Sequence, residues 1–323
     1  MAAGDSSPDP GSIVGLIAAS AARQPDASAI LAPHQPPLSY FELSRALREG
    51  TEQLRRFGIG RTDRVALVLP AGPAMAVASL TVCSAAICAP LNPDYRAAEF
   101  RFHLADLAVS ALIVPEGVPT PARDVAAELG LLVIELSVPE AGPAGLFLLS
   151  GPSVGETSDD ALEPQPDDIA LILHTSGTTA RPKMVPLSHR NFCATAENLR
   201  RALDLTSDDI CLNLMPQFHI GGIADLLVPP LASGGSVVCM GNFSAPQLPP
   251  VLDEFRPTWT QVVPTMLDAI LDTFSADPDR FNHSGSLKYI RVVAAALPVE
   301  LARRFEATFG GLPVIEVYGM TET

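Results

Sequence analysis

The string LILHTSGTTARPKMVPLSH, residues 171–189, gathers the densest set of groups able to do chemistry. An apolar run leads into Thr175, Ser176, Gly177, Thr178 and Thr179, then Arg181, Pro182 and Lys183, and a helix pattern follows. At the C-terminal end of a strand, such a turn lets backbone N–H groups and hydroxyls surround a polyphosphate while Lys183 supplies a point charge. It is not a Walker A loop, because G-x-x-x-x-G-K-S/T is absent and proline precedes the lysine. The plain alternative is a polar turn without a ligand. Farther on, VIEVYGMTET (314–323) places Thr321 and Glu322 after an apolar run. A carboxylate beside phosphates calls for a divalent cation between them, although alone this string fits an ordinary strand-end turn equally well. MPQFHIGGI (215–223) puts His219 before a glycine pair, where a capping or packed histidine is the plain reading.

These segments need elements to hold them. Ser39 followed by Glu42 is a capping-box pattern ahead of Leu43, Leu47 and Leu54, and Gly58 ends that helix. VALVLP (65–70), an Ala-rich helix to about Ala86, ICAPLN, a helix through Phe102 and Leu107, and SALIVP (110–115) alternate strand with helix. The segment from about Val138 to Asp168 is rich in Pro, Gly, Ser and acidic residues, and it marks a boundary. The alternation then resumes: IALILH, helix 188–203, ICLNLM, helix 220–233, SVVCM, helix 246–255, TWTQVV, helix 264–274, YIRVVAA, helix 298–309 and PVIEVYG. The fold class is therefore α/β, with two doubly wound, mostly parallel sheets and flanking helices. Residues 1–12 read as a disordered tail, 13–165 as a first unit, and 166–323 as a second that carries the phosphate loop and the final motif.

The phosphate loop resembles that of the adenylate-forming superfamily (AMP-dependent acyl-CoA synthetases, luciferases and peptide-synthetase adenylation domains), S/T-S-G-S/T-S/T-G-x-P-K. The chain departs from it at Ala180, where glycine is usual, a change that restricts positive φ; ligases of oxalate and other organic acids tolerate a small residue there. VIEVYGMTET is similar to the family's Y-G-x-T-E motif and stands about 140 residues downstream of the loop. The resemblance implies that Tyr318 and Gly319 lie against the nucleotide, Thr321 meets the α-phosphate and Glu322 holds Mg²⁺. MPQFHIGGI resembles the P-x-F-H-x-x-G stretch, making His219 a border of the carboxylate pocket. VVAAALP (292–298) matches the adenine-binding loop loosely, which points to Ala295, Ala296 and Leu297. Thr175, Ser176, Gly177, Thr178, Thr179 and Lys183 would hold the phosphates.

The resemblance implies ATP-dependent adenylation of a carboxylic acid, with ATP as co-substrate and Mg²⁺, then transfer to the thiol of CoA. The alternatives are an adenylation module loading a carrier-protein phosphopantetheine, and a truncated non-catalytic nucleotide-binding protein. Amino-acid-activating relatives carry Phe-Asp where this chain has Phe218-His219, so the acid is expected not to be an amino acid. The family's ribose-binding aspartate, its barrel subdomain and its C-terminal domain are expected beyond Thr323, which implies weak or no turnover by these residues alone.

Composition excludes other classes. A formal net charge of -15 over 323 residues opposes binding to nucleic-acid phosphates. Five scattered cysteines, without a C-x-x-C pair, read as buried thiols of a cytoplasmic protein. Val65 to Pro93 lacks any charge and is long enough to span a bilayer. Its prolines and its Ala/Ser/Thr-rich middle favour strand, helix and strand in a core instead, so no integral membrane segment is expected. Trp259 and the methionines read as core, His189 as a helix start, and His34, His103 and His283 as surface or packed residues outside any constellation.

Overall fold

Short, continuously apolar strands are the mark of parallel sheets covered on both faces, and the chain forms two of them. The computed structural model describes residues 11–152, 163–175, 182–277 and 285–322. One sheet contains β3 (Arg64–Leu67), β4 (Ile87–Pro90), β5 (Ala111–Pro115), β6 (Leu132–Ser137), β7 (Leu148–Ser150), β8 (Ile169–Thr175) and β9 (Lys183–Ser188), in the order β7-β6-β5-β3-β4-β8-β9. The other contains β1 (Ser28–Leu31), β2 (Leu38–Ser39), β10 (Ile210–Asn213), β11 (Ser236–Cys239), β12 (Trp259–Val262), β13 (Tyr289–Val292) and β14 (Val314–Glu316), in the order β14-β13-β12-β10-β11-β1-β2. Pairing is parallel throughout except β1–β2, β6–β7 and β8–β9.

The sheets do not divide where the chain was expected to divide, at 165/166. β1 and β2 join the sheet built mainly from 210–316, and β8 and β9 join the sheet built from 64–150. Composition marks a linker, but strand partners are chosen by exposed edges and burial. β8 fills the edge beside β4, and β1 that beside β11.

The uncharged stretch is β3, α3 (Pro73–Ala85) and β4, as expected, and it lies in the interior. Every residue from Met75 to Ala85 is buried. Small side chains let α3 touch β3, β4 and β8 of one sheet and β11 of the other. Its hydroxyls do not go unsatisfied: Ser79, Thr81 and Ser84 donate to the carbonyls of Met75, Val77 and Leu80. Gly50, on α2 (Tyr40–Arg56), meets Thr81 so closely that an added Cβ would sit 2.5 Å from Thr81 Cγ2. Ser39 caps α2 with the full reciprocal box expected from Glu42. Among the described residues no helix is long and apolar enough to cross a membrane.

A helix that the sequence did not announce, α1 (Ile13–Arg23), starts at the cap residue Ser12. It covers α6 (His189–Ala202) and α7 (Val228–Ala232). The Ile13 N–H donates to Nδ1 of His189, 3.2 Å away, so this histidine is an acceptor inside the core as well as a helix start. Tyr40 likewise reaches across the chain, its hydroxyl 2.9 Å from the Leu231 carbonyl oxygen and 2.7 Å from that of Gly235. The helix expected over 220–233 is a π-helical turn, Gly221–Asp225, followed by α7. The remaining expected helices are α8 (Leu248–Phe255), α9 (Pro264–Phe274) and α10 (Val299–Thr308). The five cysteines carry free thiols; four are buried and Cys193 is half-buried.

Burial pushes the pKa of His189 from 6.5 down to about 4, against the smaller raising pull of Asp168. The folded state thus prefers the neutral ring. Its contribution to stability is complete above pH 6.5 and is lost as pH falls from there towards 4, on the order of 3 kcal/mol in all. Urea unfolding measured across this interval should show that loss, and His189→Gln should reduce the slope. Tyr40→Phe should cost about 1–2 kcal/mol in the same assay, since two buried carbonyls lose their shared donor.

Candidate functional site

β8 and β9 form an antiparallel hairpin whose connection is the hydroxyl-rich loop. Thr175 pairs directly with Lys183, and His174 with Met184. The sequence pointed to a strand, a loop and then a helix; a return strand intervenes, because KMVPLS can bond to the free edge of β8 and its Pro186 is tolerated at a sheet edge. Lys183 is exposed at the base of this hairpin and Thr175 is half-exposed. Ser176, Gly177, Thr178, Thr179 and Ala180 lie outside the described residues.

Most of the remaining candidates lie on the other sheet, past the C-terminal ends of the parallel strands β10, β13 and β14, with β12 between β10 and β13. The turn after β10 carries His219, that after β13 carries Ala295, Ala296 and Leu297, and that after β14 carries Tyr318, Gly319, Thr321 and Glu322. The last two are joined: the Leu297 N–H donates to Glu316 Oε1 at 2.9 Å, and the Val317 N–H to the Val292 carbonyl oxygen at 2.8 Å. Ala295, Ala296, Tyr318, Gly319 and Glu322 are exposed, Tyr318 by 90%. Ala294 holds a φ of 72°, left-handed backbone that costs a residue with a Cβ energy.

The His219 turn is shaped by buried polar side chains that the sequence reading passed over. Asn213 accepts from the Met215 N–H and donates to the Gly222 carbonyl oxygen at 2.8 Å. Gln217 accepts from the Gly72 N–H at 3.0 Å, tying this turn to the loop after β3 of the other sheet. The ring of Phe218 lies 4.5 Å from that of His219. The edge of His219 is open to solvent, and desolvation by the surrounding chain lowers its pKa. Beneath the π-helical turn, Gln261 donates to Asp225 at 2.9 Å, and burial raises the Asp225 pKa. Arg291 pairs in register with Gln261 on β12 and β13 and is buried, its Nη1 without a partner among the described residues; burial lowers its pKa. The available signal was polar residues inside apolar strands: Asn in ICLNLM, Gln in TWTQVV, Arg in YIRVV.

His103 was expected to stand outside any constellation, and the structure corrects this. It lies on α4 (Ala97–Asp106) with its Nδ1 3.0 Å from Nδ1 of His174, whose Nε2 is 2.9 Å from Asp106 Oδ2. The partners are 71 residues apart in sequence, so spacing alone does not reveal them. His34 is exposed, and His283 lies outside the described residues. Among the described residues no cluster of His, Cys, Asp or Glu is arranged to hold a metal ion.

Comparison with known proteins gives the same assignment as the motifs. The family model for AMP-binding enzymes matches residues 17–323. A protein named a probable CoA ligase from Humulus lupulus is 34% identical, across 96% of this chain and 59% of its own length. An oxalate–CoA ligase of Arabidopsis thaliana is 32% identical, across 97% and 61%, and a sulfoacetate–CoA ligase of Cupriavidus necator 33%, across 96% and 60%. The chain thus spans about 60% of the length of these relatives. Its fold matches an ATP-bound RpMatB-BxBclM chimera with a TM-score of 0.82 at 24% identity, covering 97% of this chain and 60% of that one. It also matches a long-chain-fatty-acid–CoA ligase of Archaeoglobus fulgidus at 0.81 and 24%, covering 96% and 64%. The chain belongs to the AMP-binding enzyme family, and its two sheets are the N-terminal portion of the acyl-CoA ligase fold.

Proposed function

We propose that this chain forms the ATP- and acid-binding portion of an AMP-forming acid–thiol ligase that activates an organic acid for transfer to CoA. The observation that carries the reading is the grouping of three motif-bearing turns past the ends of β10, β13 and β14. In open parallel sheets that end is where ligands bind. The strained Ala294 and the Leu297–Glu316 bond support a loop held in place for a ligand.

A carboxylate is a poor electrophile, and joining it to the α-phosphate of ATP, with loss of pyrophosphate, makes it an acyl donor. The thiol of CoA then displaces AMP. The chain's contribution to the first step is positioning and charge stabilisation. Lys183 offsets the charge of the departing pyrophosphate, the hydroxyls from Thr175 to Thr179 donate hydrogen bonds to it, Thr321 contacts the α-phosphate, and His219 borders the acid. The small side chains of Ala295 and Ala296 let backbone approach the base, with Leu297 beside them, and Tyr318 and Gly319 face the nucleotide.

Glu322 is the residue that would hold Mg²⁺, and the donor set fits one way only. Among the described residues no group of three or more His, Cys, Asp or Glu side chains could hold the ion, so it would need phosphate oxygens to complete its shell, as Mg²⁺ held by one or two carboxylates does. Bound so, it would supply charge neutralisation on the phosphates.

A compact organic acid suits the site better than an amino acid. His219 stands where an aspartate would pair with an ammonium group. The buried Arg291 adds a cation on the sheet face beneath the same turn, and the relatives named for oxalate and sulfoacetate use compact acids with two anionic groups. The reading places the protein in the cytoplasm.

Calorimetry should detect saturable, Mg²⁺-dependent ATP binding by this chain, weakened about 10-fold by Lys183→Ala, the equivalent of about 1.4 kcal/mol. Wild-type protein that binds no ATP would refute the reading. ATP–pyrophosphate exchange with a panel of acids then identifies the substrate class. Gly222→Ala tests the His219 turn, since its Cβ would meet the Pro216 carbonyl oxygen at 2.6 Å and Gln217 Cα at 2.9 Å. Backbone cannot move aside cheaply, so this variant should lose about 1–3 kcal/mol in urea unfolding together with acid-dependent exchange.

A further inference from the structure

The distal half of the β8–β9 hairpin has little sheet behind it. β8 bonds to β4 at one register, Cys88 to Leu171, whereas its pairing with β9 continues to Thr175 and Lys183. A two-stranded ribbon is marginal in water without packing. Past that register His174 ties β8 to α4, on the face where Ile172 and Met184 also pack against the cluster of Phe100 and Leu104. The His174 side chain is only 5% exposed. Its Nε2–H donates to Asp106, 2.9 Å away, leaving Nδ1 to meet Nδ1 of His103 at 3.0 Å. His103 is itself fixed by a parallel stack on Tyr95, with centroids 4.8 Å apart and planes 7° apart, and by the edge of Phe102. Asp106 and His103 occupy opposite nitrogens of one ring, so the three groups cannot surround a single ion. They form a chain.

Proton counting gives this chain a limit. With both imidazoles neutral, His103 Nδ1–H donates to His174 Nδ1. One added proton, wherever it sits on the pair, still leaves a lone pair on one of the two facing nitrogens, and the bond survives. With two added protons, N–H faces N–H at 3.0 Å and the bond cannot exist. Among the described residues, burial and then the charge of His174 lower the His103 pKa, while Glu99 and Asp106 on α4 favour its protonation. From the segment before α4 Tyr95 faces the ring, and across the hairpin Met184 pairs with His174; both are uncharged.

We propose that Asp106, His174 and His103 are positioning residues for the phosphate-binding hairpin, anchoring the rung next to Thr175 and Lys183 so long as at least one imidazole is neutral. The geometry stands by itself; its consequence for ATP rests on the adenylation reading. The test has two arms. In the first, amide hydrogen exchange is followed at Thr175 and Lys183, corrected for intrinsic rates, between about pH 8 and pH 5.5. Protection in wild type should fall about 10-fold or more on acidification. In His103→Gln, which can still hydrogen-bond but does not titrate, it should stay flat. Asp106→Asn should lower protection at both pH values. In the second arm the ratio of ATP Kd at the two pH values is measured for the same proteins, and should be about 10 times larger in wild type than in His103→Gln, a comparison that cancels the protonation of ATP itself. Equal acid sensitivity of exchange in wild type and His103→Gln overturns the proposal. If exchange behaves as expected while no protein binds ATP, the anchor stands and the adenylation reading fails.

Discussion

Two mostly parallel sheets, their central strands apolar on both faces, must be covered on both faces, and the central solution is α3. Its whole run from Met75 to Ala85 is buried, and it touches strands of both sheets. This explains the composition of the segment. Large side chains would hold the sheets apart, and charges could not be desolvated there, whereas Ser and Thr are admitted because each hydroxyl returns to a carbonyl one turn back. One hydrophobic cluster consequently runs from Ile13 and Leu38 through α3 to Trp259 and Phe305, binding the halves of the chain into a single core.

The same constraint accounts for the crossing of strands between halves. Covering α3 from both sides brings the N-terminal segment against α6 and α7, where Tyr40 and His189 supply hydrogen bonds over 191 and 176 residues of sequence. With the halves interlocked, the loop after β3 reaches the turn after β10, and Gly72 and Gln217 bond across the junction. The His219 turn is thereby supported by both sheets, though it belongs to only one.

The turns past these rigid ends are shaped by polar groups the core tolerates only when satisfied. Asn213, Gln217 and Asp225 each have a partner, and they bend the backbone after β10 into the tight turn and π-helical segment that set His219 at the surface. π-helical turns often occur at functional sites. Among the described residues, Arg291 and Gln261 each keep one buried atom without a partner, a cost to stability.

The sequence by itself determined the alternation of strands and helices, the capped start of α2, the strand–helix–strand nature of the uncharged segment, and the order of the three motif-bearing turns. Each of these is local: periodicity, a cap four residues long, or a short string. It also showed polar residues inside apolar strands, without showing what they touch. Only the tertiary structure decided which strands pair, because edges and burial choose partners far apart in sequence. For that reason β1 with β11, the return strand β9 and the helix α1 were not legible. His103, His174 and Asp106 were unremarkable as letters for the same reason. They become a proton-limited chain only where α4 packs across the end of β8.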